Sequence, residues 1–106
     1  MVKQLANKAE FDEFLAEAGD KLVVIDFTAT WCPPCKRIGP VFVAKAEELG
    51  DAVCMAKVDV DENKEVSEAA GIQAMPTFQF YKKKEKIDEF RGASEEKLNE
   101  YIGKHQ

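Results

Sequence analysis

Apolar positions along the chain change period several times, and each change predicts an element. Asn7 followed three residues later by Glu10 forms a helix-capping pair, and Phe11, Phe14, Leu15 and Ala18 then recur at helical spacing until Gly19. Leu22 to Thr28 is mostly apolar, rich in branched residues and free of Gly and Pro, which predicts a strand covered on both faces. It leads directly into Trp31-Cys32-Pro33-Pro34-Cys35. From Pro34 onward, Ile38, Phe42, Ala46 and Leu49 mark one face of a helix ending at Gly50, and Pro40 within it removes a backbone donor and is expected to kink it. Val53 to Val60 reads as a second buried strand, followed by a short helix holding Val66, Ala69 and Ala70 that stops at Gly71. Beyond Met75-Pro76, Thr77 to Tyr81 and Ile87 to Phe90 have period two and lie close enough for an antiparallel hairpin. Ser94, with Glu95 and Glu96 behind it, caps a last helix that buries Leu98, Tyr101 and Ile102. Val2 to Leu5 is a candidate short strand. This alternation predicts an α/β fold, a mixed sheet with helices on both faces.

Length and composition narrow the function classes. A chain of 106 residues, 45% hydrophobic and 33% charged, buries one core, so residues 1–106 are expected to form a single domain. The apolar run Leu22 to Ile25 is far too short to cross a bilayer, and Met1 to Lys8 holds no long apolar stretch. The expectation is a soluble chain with no targeting signal and no membrane partner. A net charge of −5 disfavours nucleic acid, whose phosphates need a basic face to release counterions. Three cysteines, two of them three apart, do not make the framework of a disulfide-stapled secreted domain, which points to a reducing, cytoplasmic setting.

The chemistry lies in Cys32 and Cys35. At the exit of a buried strand and the start of a helix, Cys32 receives unpaired backbone N–H groups and the positive end of the helix dipole, and both favour thiolate over thiol. A Cys-x-x-Cys cysteine in this setting titrates around 7 rather than about 8.5, so it reacts at neutral pH. Cys35, one helical turn on, is placed to attack the mixed disulfide that Cys32 forms with a substrate and so release the substrate reduced. The same spacing also serves half a zinc site, which would need two more ligands from Cys54, His105 or carboxylates, or a structural pair of buried thiols. Asp26, inside the preceding strand, is a buried carboxylate whose pKa desolvation raises, with Lys57 as its expected partner.

Val24-Ile25-Asp26-Phe27, Ala29-Thr30-Trp31-Cys32-Pro33-Pro34-Cys35-Lys36, Ala74-Met75-Pro76-Thr77-Phe78 and Gly92-Ala93 resemble the thioredoxins, in order and over essentially the full length, with the flavour of eukaryotic cytosolic members. The resemblance implies a five-stranded mixed sheet flanked by four helices. It also implies reduction of disulfide-containing client proteins, with electrons drawn from NADPH through thioredoxin reductase and no bound cofactor or metal beyond the Cys32–Cys35 disulfide. By the same resemblance Cys32 is the nucleophile, Cys35 the resolving thiol and Asp26 the proton acceptor behind them. The Met75-Pro76 bond is then cis and faces the cysteines, leaving the Met75 backbone to pair with an extended client segment. Trp31, Ile72, Met75, Pro76, Gly92 and Ala93 would form the client surface, and a monomer is expected.

Two positions depart from the family. Pro33 stands where Gly is commoner, so Pro33 and Pro34 both lack an N–H to offer the Cys32 sulfur; with Lys57 they are the expected tuners of the redox pair. Lys84 stands in a hairpin stretch where the family usually has a turn Gly, which predicts either a looser turn or a strained Lys84. Cys54 is expected to be inert core and His105 a solvated tail residue. The alternative to an electron carrier is a redox-switched protein-binding module using the same surface without general turnover.

Overall fold

Residues 2–106 are described by a computed structural model, in which polar caps and apolar periods set nine regular elements. In chain order these are β1 (Lys3–Gln4), α1 (Lys8–Glu17), β2 (Leu22–Thr28), α2 (Pro33–Leu49), β3 (Val53–Asp59), α3 (Lys64–Ala69), β4 (Thr77–Lys82), β5 (Glu85–Arg91) and α4 (Glu95–His105). Asn7 caps α1 by accepting from Glu10 N at 2.9 Å, and the Glu10 side chain accepts in turn from Ala6 N at 2.9 Å. Ser94 caps α4 through Lys97 N at 3.1 Å. α2 runs without a break through Pro40, and a turn of 3₁₀ helix, Gly50–Ala52, joins it to β3.

The strands form one sheet in the order β1-β3-β2-β4-β5, parallel across β1, β3 and β2 and antiparallel from β2 through β5. β2 lies at the centre, which is why its sequence is apolar on both faces. Leu22 and Val24 point to one face, where they pack with Ile38 and Phe42 of α2 and Leu98 and Ile102 of α4. Val23, Ile25 and Phe27 point to the other, against Leu15 of α1 and Val66 of α3. Asp26 shares the parity of Leu22 and Val24, so period two delivers its carboxyl to the α2 face. Phe78 and Phe90 stack with centroids 5.0 Å apart, and burying each such ring contributes about 2–3 kcal/mol.

The hairpin resolves the Lys84 question. Lys82 pairs with Glu85 across a two-residue loop in which Lys83 and Lys84 both have positive φ, 52° and 71°. The tight turn is kept and two lysines carry its strain, Lys83 included. The register then jumps between Phe80 and Tyr81, leaving Ile87 as the extra residue of a bulge.

Several expectations are corrected. Cys54 is half-buried: it packs at the margin of the core on the α1 face, and a cleft beside Phe14 and Ala46 leaves it partly open to solvent. His105 is not a free tail residue: it ends α4, and its Nε2 lies 2.7 Å from Asp88 Oδ2 on β5. In α3 the buried positions are Val66 and Ser67, and Ala69 is exposed. Tyr101 in α4 is half-buried, its ring against Phe80 and Phe90.

Candidate active site

β2 and α2 are joined by residues 29–32, and Cys32 is the cap of the helix. Its backbone is extended (φ −99°, ψ 108°), its carbonyl accepts the first helical bond from Lys36 N at 3.1 Å, and its Sγ accepts from Cys35 N at 3.3 Å. Pro33 and Pro34 fill the first two helical positions, where a missing N–H leaves no helical bond unmade. Their price is paid at the sulfur, because only the third position, Cys35, has an N–H to direct at it. Cys32 and Cys35 are joined in a disulfide with Cα atoms 5.2 Å apart, and both residues are buried.

Met75 meets this pair from the other side, with its carbonyl oxygen 3.7 Å from Cys32 Sγ. The Met75–Pro76 bond is cis. The sheet ladders of β4 begin only at Thr77, so the Met75 N–H and C=O lie outside them. Gly92 N donates to Pro76 O at 2.9 Å, which sets Gly92 and Ala93 beside the same segment; Ala93 itself packs toward the α2 and α4 core. Ile72 and Met75 line a groove of about 340 Å³ with Trp31 and Val60. Trp31 is 61% exposed, and its Nε1 donates to Asp61 Oδ2 at 2.7 Å. The expected surface residues are therefore brought together, except that Pro76 is buried beneath them.

Asp26 is 3% exposed and its Oδ1 has no hydrogen-bond partner. Desolvation by burial is the main cause that pushes its pKa from 3.8 up to about 7, with Lys57 pulling it down. Lys57 stands opposite Asp26 in the β2–β3 register, yet the two act on each other through space and make no hydrogen bond, so the expected partnership is electrostatic only. Asp26, Lys57, Asp59, Cys35 and Gly39 line a cleft of about 350 Å³ that links the carboxyl and the second cysteine to solvent. Among the described residues no group of three or more His, Cys, Asp and Glu side chains is placed to hold a metal ion.

The thioredoxin family profile matches residues 2–104. The chain belongs to the thioredoxin family. It is 54% identical over 107 residues to thioredoxin of Geodia cydonium, covering 100% of both chains, and 49% identical over 102 residues to that of Homo sapiens, covering 96% of both. The X-ray structure of Fasciola hepatica thioredoxin superimposes with a TM-score of 0.96 at 42% identity, over 99% of this chain and 100% of that one. This fold is therefore the thioredoxin fold, and the chain is a thiol-disulfide oxidoreductase that reduces protein disulfides. Its redox group is its own Cys32–Cys35 disulfide. Thioredoxin membership brings with it, in general terms, disulfide-bearing client proteins and thioredoxin reductase as partners.

Sequence reasoning missed Asp61, Val60 and Asp59. Asp61 carries no signal that separates it from Glu62 beside it. The only hint in the sequence is that the Trp31 indole N–H can act solely as a donor, which an acidic neighbour satisfies. Asp59 accepts from Asp61 N at 2.8 Å and Glu62 N at 3.2 Å, shaping the turn that presents Asp61.

Proposed function

We propose that residues 1–106 act as one monomeric, cytoplasmic thioredoxin domain in which Cys32 attacks, Cys35 resolves and Asp26 takes the proton. The observation that supports this most is the position of Cys32 at the start of α2, its sulfur facing the Cys35 N–H and the Met75 carbonyl. In the dithiol form the Cys32 thiolate attacks a client sulfur, and the departing client thiolate takes a proton from solvent. Cys35 then gives its proton toward the Asp26 carboxylate and attacks the Cys32 sulfur. The second client thiolate is expelled and takes the proton that passed to Asp26, so the client leaves as a dithiol, two electrons richer, and the Cys32–Cys35 disulfide remains. The cleft shared by Cys35 and Asp26 has room for water, and Lys57 and Asp59 in its lining offer that water partners for relaying the proton.

Trp31, Ile72 and Met75 supply apolar contact, and the Met75 N–H and C=O, outside the β4 ladders, add a client strand across Cys32. Pro76 beneath, with Gly92 and Ala93 alongside, lets that backbone approach closely. Pro33, Pro34 and Lys57 tune the pair, the prolines by limiting donors to the Cys32 sulfur and Lys57 by its charge near Asp26. Thioredoxin reductase and NADPH recharge the disulfide.

The test is turnover. With reductase, NADPH and a catalytic amount of this protein, insulin disulfides are reduced over many cycles, and the Cys32–Cys35 midpoint falls near −270 mV, the value typical of thioredoxins. A midpoint near −180 mV would indicate an isomerase-like role, about 4 kcal/mol away. Absence of NADPH consumption beyond one equivalent would overturn the reductase cycle in favour of a binding module.

A further inference from the structure

Gln79 lies in the middle of β4 with no exposed surface, on the face that carries the α1 and α3 core. A fully buried amide in a central strand is expensive unless each polar atom is partnered, and here each is. Nε2 donates to Ala70 O at 3.1 Å and to Glu89 Oε1 at 2.9 Å, and Oε1 accepts from the Tyr81 hydroxyl. The partners fix which way the amide points. A backbone carbonyl and an ionised carboxylate can only accept, so the NH2 must face them. Burial pushes the Tyr81 hydroxyl far above its ordinary range, so it stays protonated and donates to the amide oxygen.

The Ala70 bond matters because of where Ala70 sits. It caps the C-terminal end of α3 and is the last residue before segment 71–76, which runs through Ile72 and Met75 to Pro76. Hydrogen bonds hold the segment near both ends: Gln79 Nε2 to Ala70 O, Gly71 N to Glu68 O and Ile72 N to Ser67 O, both at 3.1 Å, at its start, and Thr77 Oγ1 to Ala74 O at 2.6 Å and Gly92 N to Pro76 O at 2.9 Å towards its end. The first alone joins the start of the segment to the interior of the sheet, and the Gln79–Glu89 bond carries that tie across to β5, where Lys86 Nζ also reaches Glu89 Oε1 at 3.2 Å.

We propose that Gln79 is a positioning residue that, through the Ala70 carbonyl, holds segment 71–76 in the shape that receives a client polypeptide. This rests on the reading of that segment as the client surface. Gln79 touches neither the cysteines nor the client. It acts by keeping the binding-competent shape populated, so losing it lowers client affinity by the fraction of time the segment spends elsewhere.

Three variants, Gln79→Met, Tyr81→Phe and Ile72→Asp, test this by steady-state reduction of insulin with reductase and NADPH. Gln79→Met keeps the length and removes the donors; it is expected to raise KM for insulin about 5- to 10-fold, with kcat within about 2-fold and the Cys32–Cys35 midpoint unmoved. Tyr81→Phe removes the hydroxyl but keeps the Ala70 bond, and is expected to leave KM within about 2-fold even where it lowers stability. An unchanged KM in Gln79→Met while Ile72→Asp raises it overturns the role of Gln79 alone. Unchanged KM in both overturns the client-surface reading on which it rests. If Gln79→Met does not fold, hydrogen exchange of the unmodified protein decides: the Ile72 amide and the Gln79 side-chain amide are expected to exchange through the same opening. An Ile72 amide about 100-fold less protected than the Gln79 amide would show the segment moving while its supposed tie stays closed, and would overturn the proposal.

Discussion

Asp26 gives a prediction whose size follows from its burial. In the fold its carboxyl titrates near 7, against 3.8 for an exposed one, so between these values the native state binds a proton that the unfolded chain has released. Stability therefore falls as pH rises through this window and is flat above it, and the gap corresponds to about 4 kcal/mol withheld from the native state at pH 8. Asp26→Asn keeps the shape and removes the charge. Relative to the parent it is expected to be more stable by up to about 4 kcal/mol at pH 8, the advantage holding down to about pH 7, then shrinking by about 1.4 kcal/mol per pH step and vanishing near pH 4. Urea unfolding of the oxidised protein at several pH values reads this directly. The same variant should resolve its mixed disulfide more slowly above pH 7, where the parent carboxylate is ionised and can accept the Cys35 proton. A stability difference that does not change with pH would refute the burial argument, and unchanged resolution kinetics across that range would refute Asp26 as proton acceptor.

Lys84→Gly is expected to stabilise. A left-handed lysine costs about 1–2 kcal/mol, of which the freer unfolded glycine cancels roughly half, leaving a gain of about 0.5–1 kcal/mol and a Tm higher by about 2–6 °C. A lower Tm in a thermal scan contradicts it. His105→Ala loses the contact with Asp88, whose carboxyl the His105 hydrogen bond holds below its ordinary range. Being partly exposed, the pair should show a coupling under about 1 kcal/mol in a double-mutant cycle with Asp88→Ala at pH 6, fading as acid protonates Asp88. No coupling at pH 6 would refute the contact as a stabilising one.

What could be read from the sequence divides along a physical line. Elements with one dominant local cause were legible: the Asn7–Glu10 cap, the doubly covered run of β2, the cysteine at the start of α2 and the caps of α4 all follow from neighbours in the chain. The family's ordered motifs extended this to Met75-Pro76 and Gly92-Ala93, whose role depends on contacts made across the fold. Residues whose meaning lies only in a distant partner were not legible. His105 reads as a frayed end until β5 places Asp88 under it. Cys54 reads as core because a central strand is buried on both faces, but β3 has only the two-residue β1 on its outer side, and there the cover over Cys54 is incomplete. Asp61 is one of several acidic residues after β3 until Trp31 projects beside it. Gln79 is the instructive case, because period two does place it on the buried face next to Tyr81, and a buried amide demands partners. Its need could be inferred from sequence, but the carbonyl that meets it, at the end of α3 just before segment 71–76, is supplied by the tertiary fold.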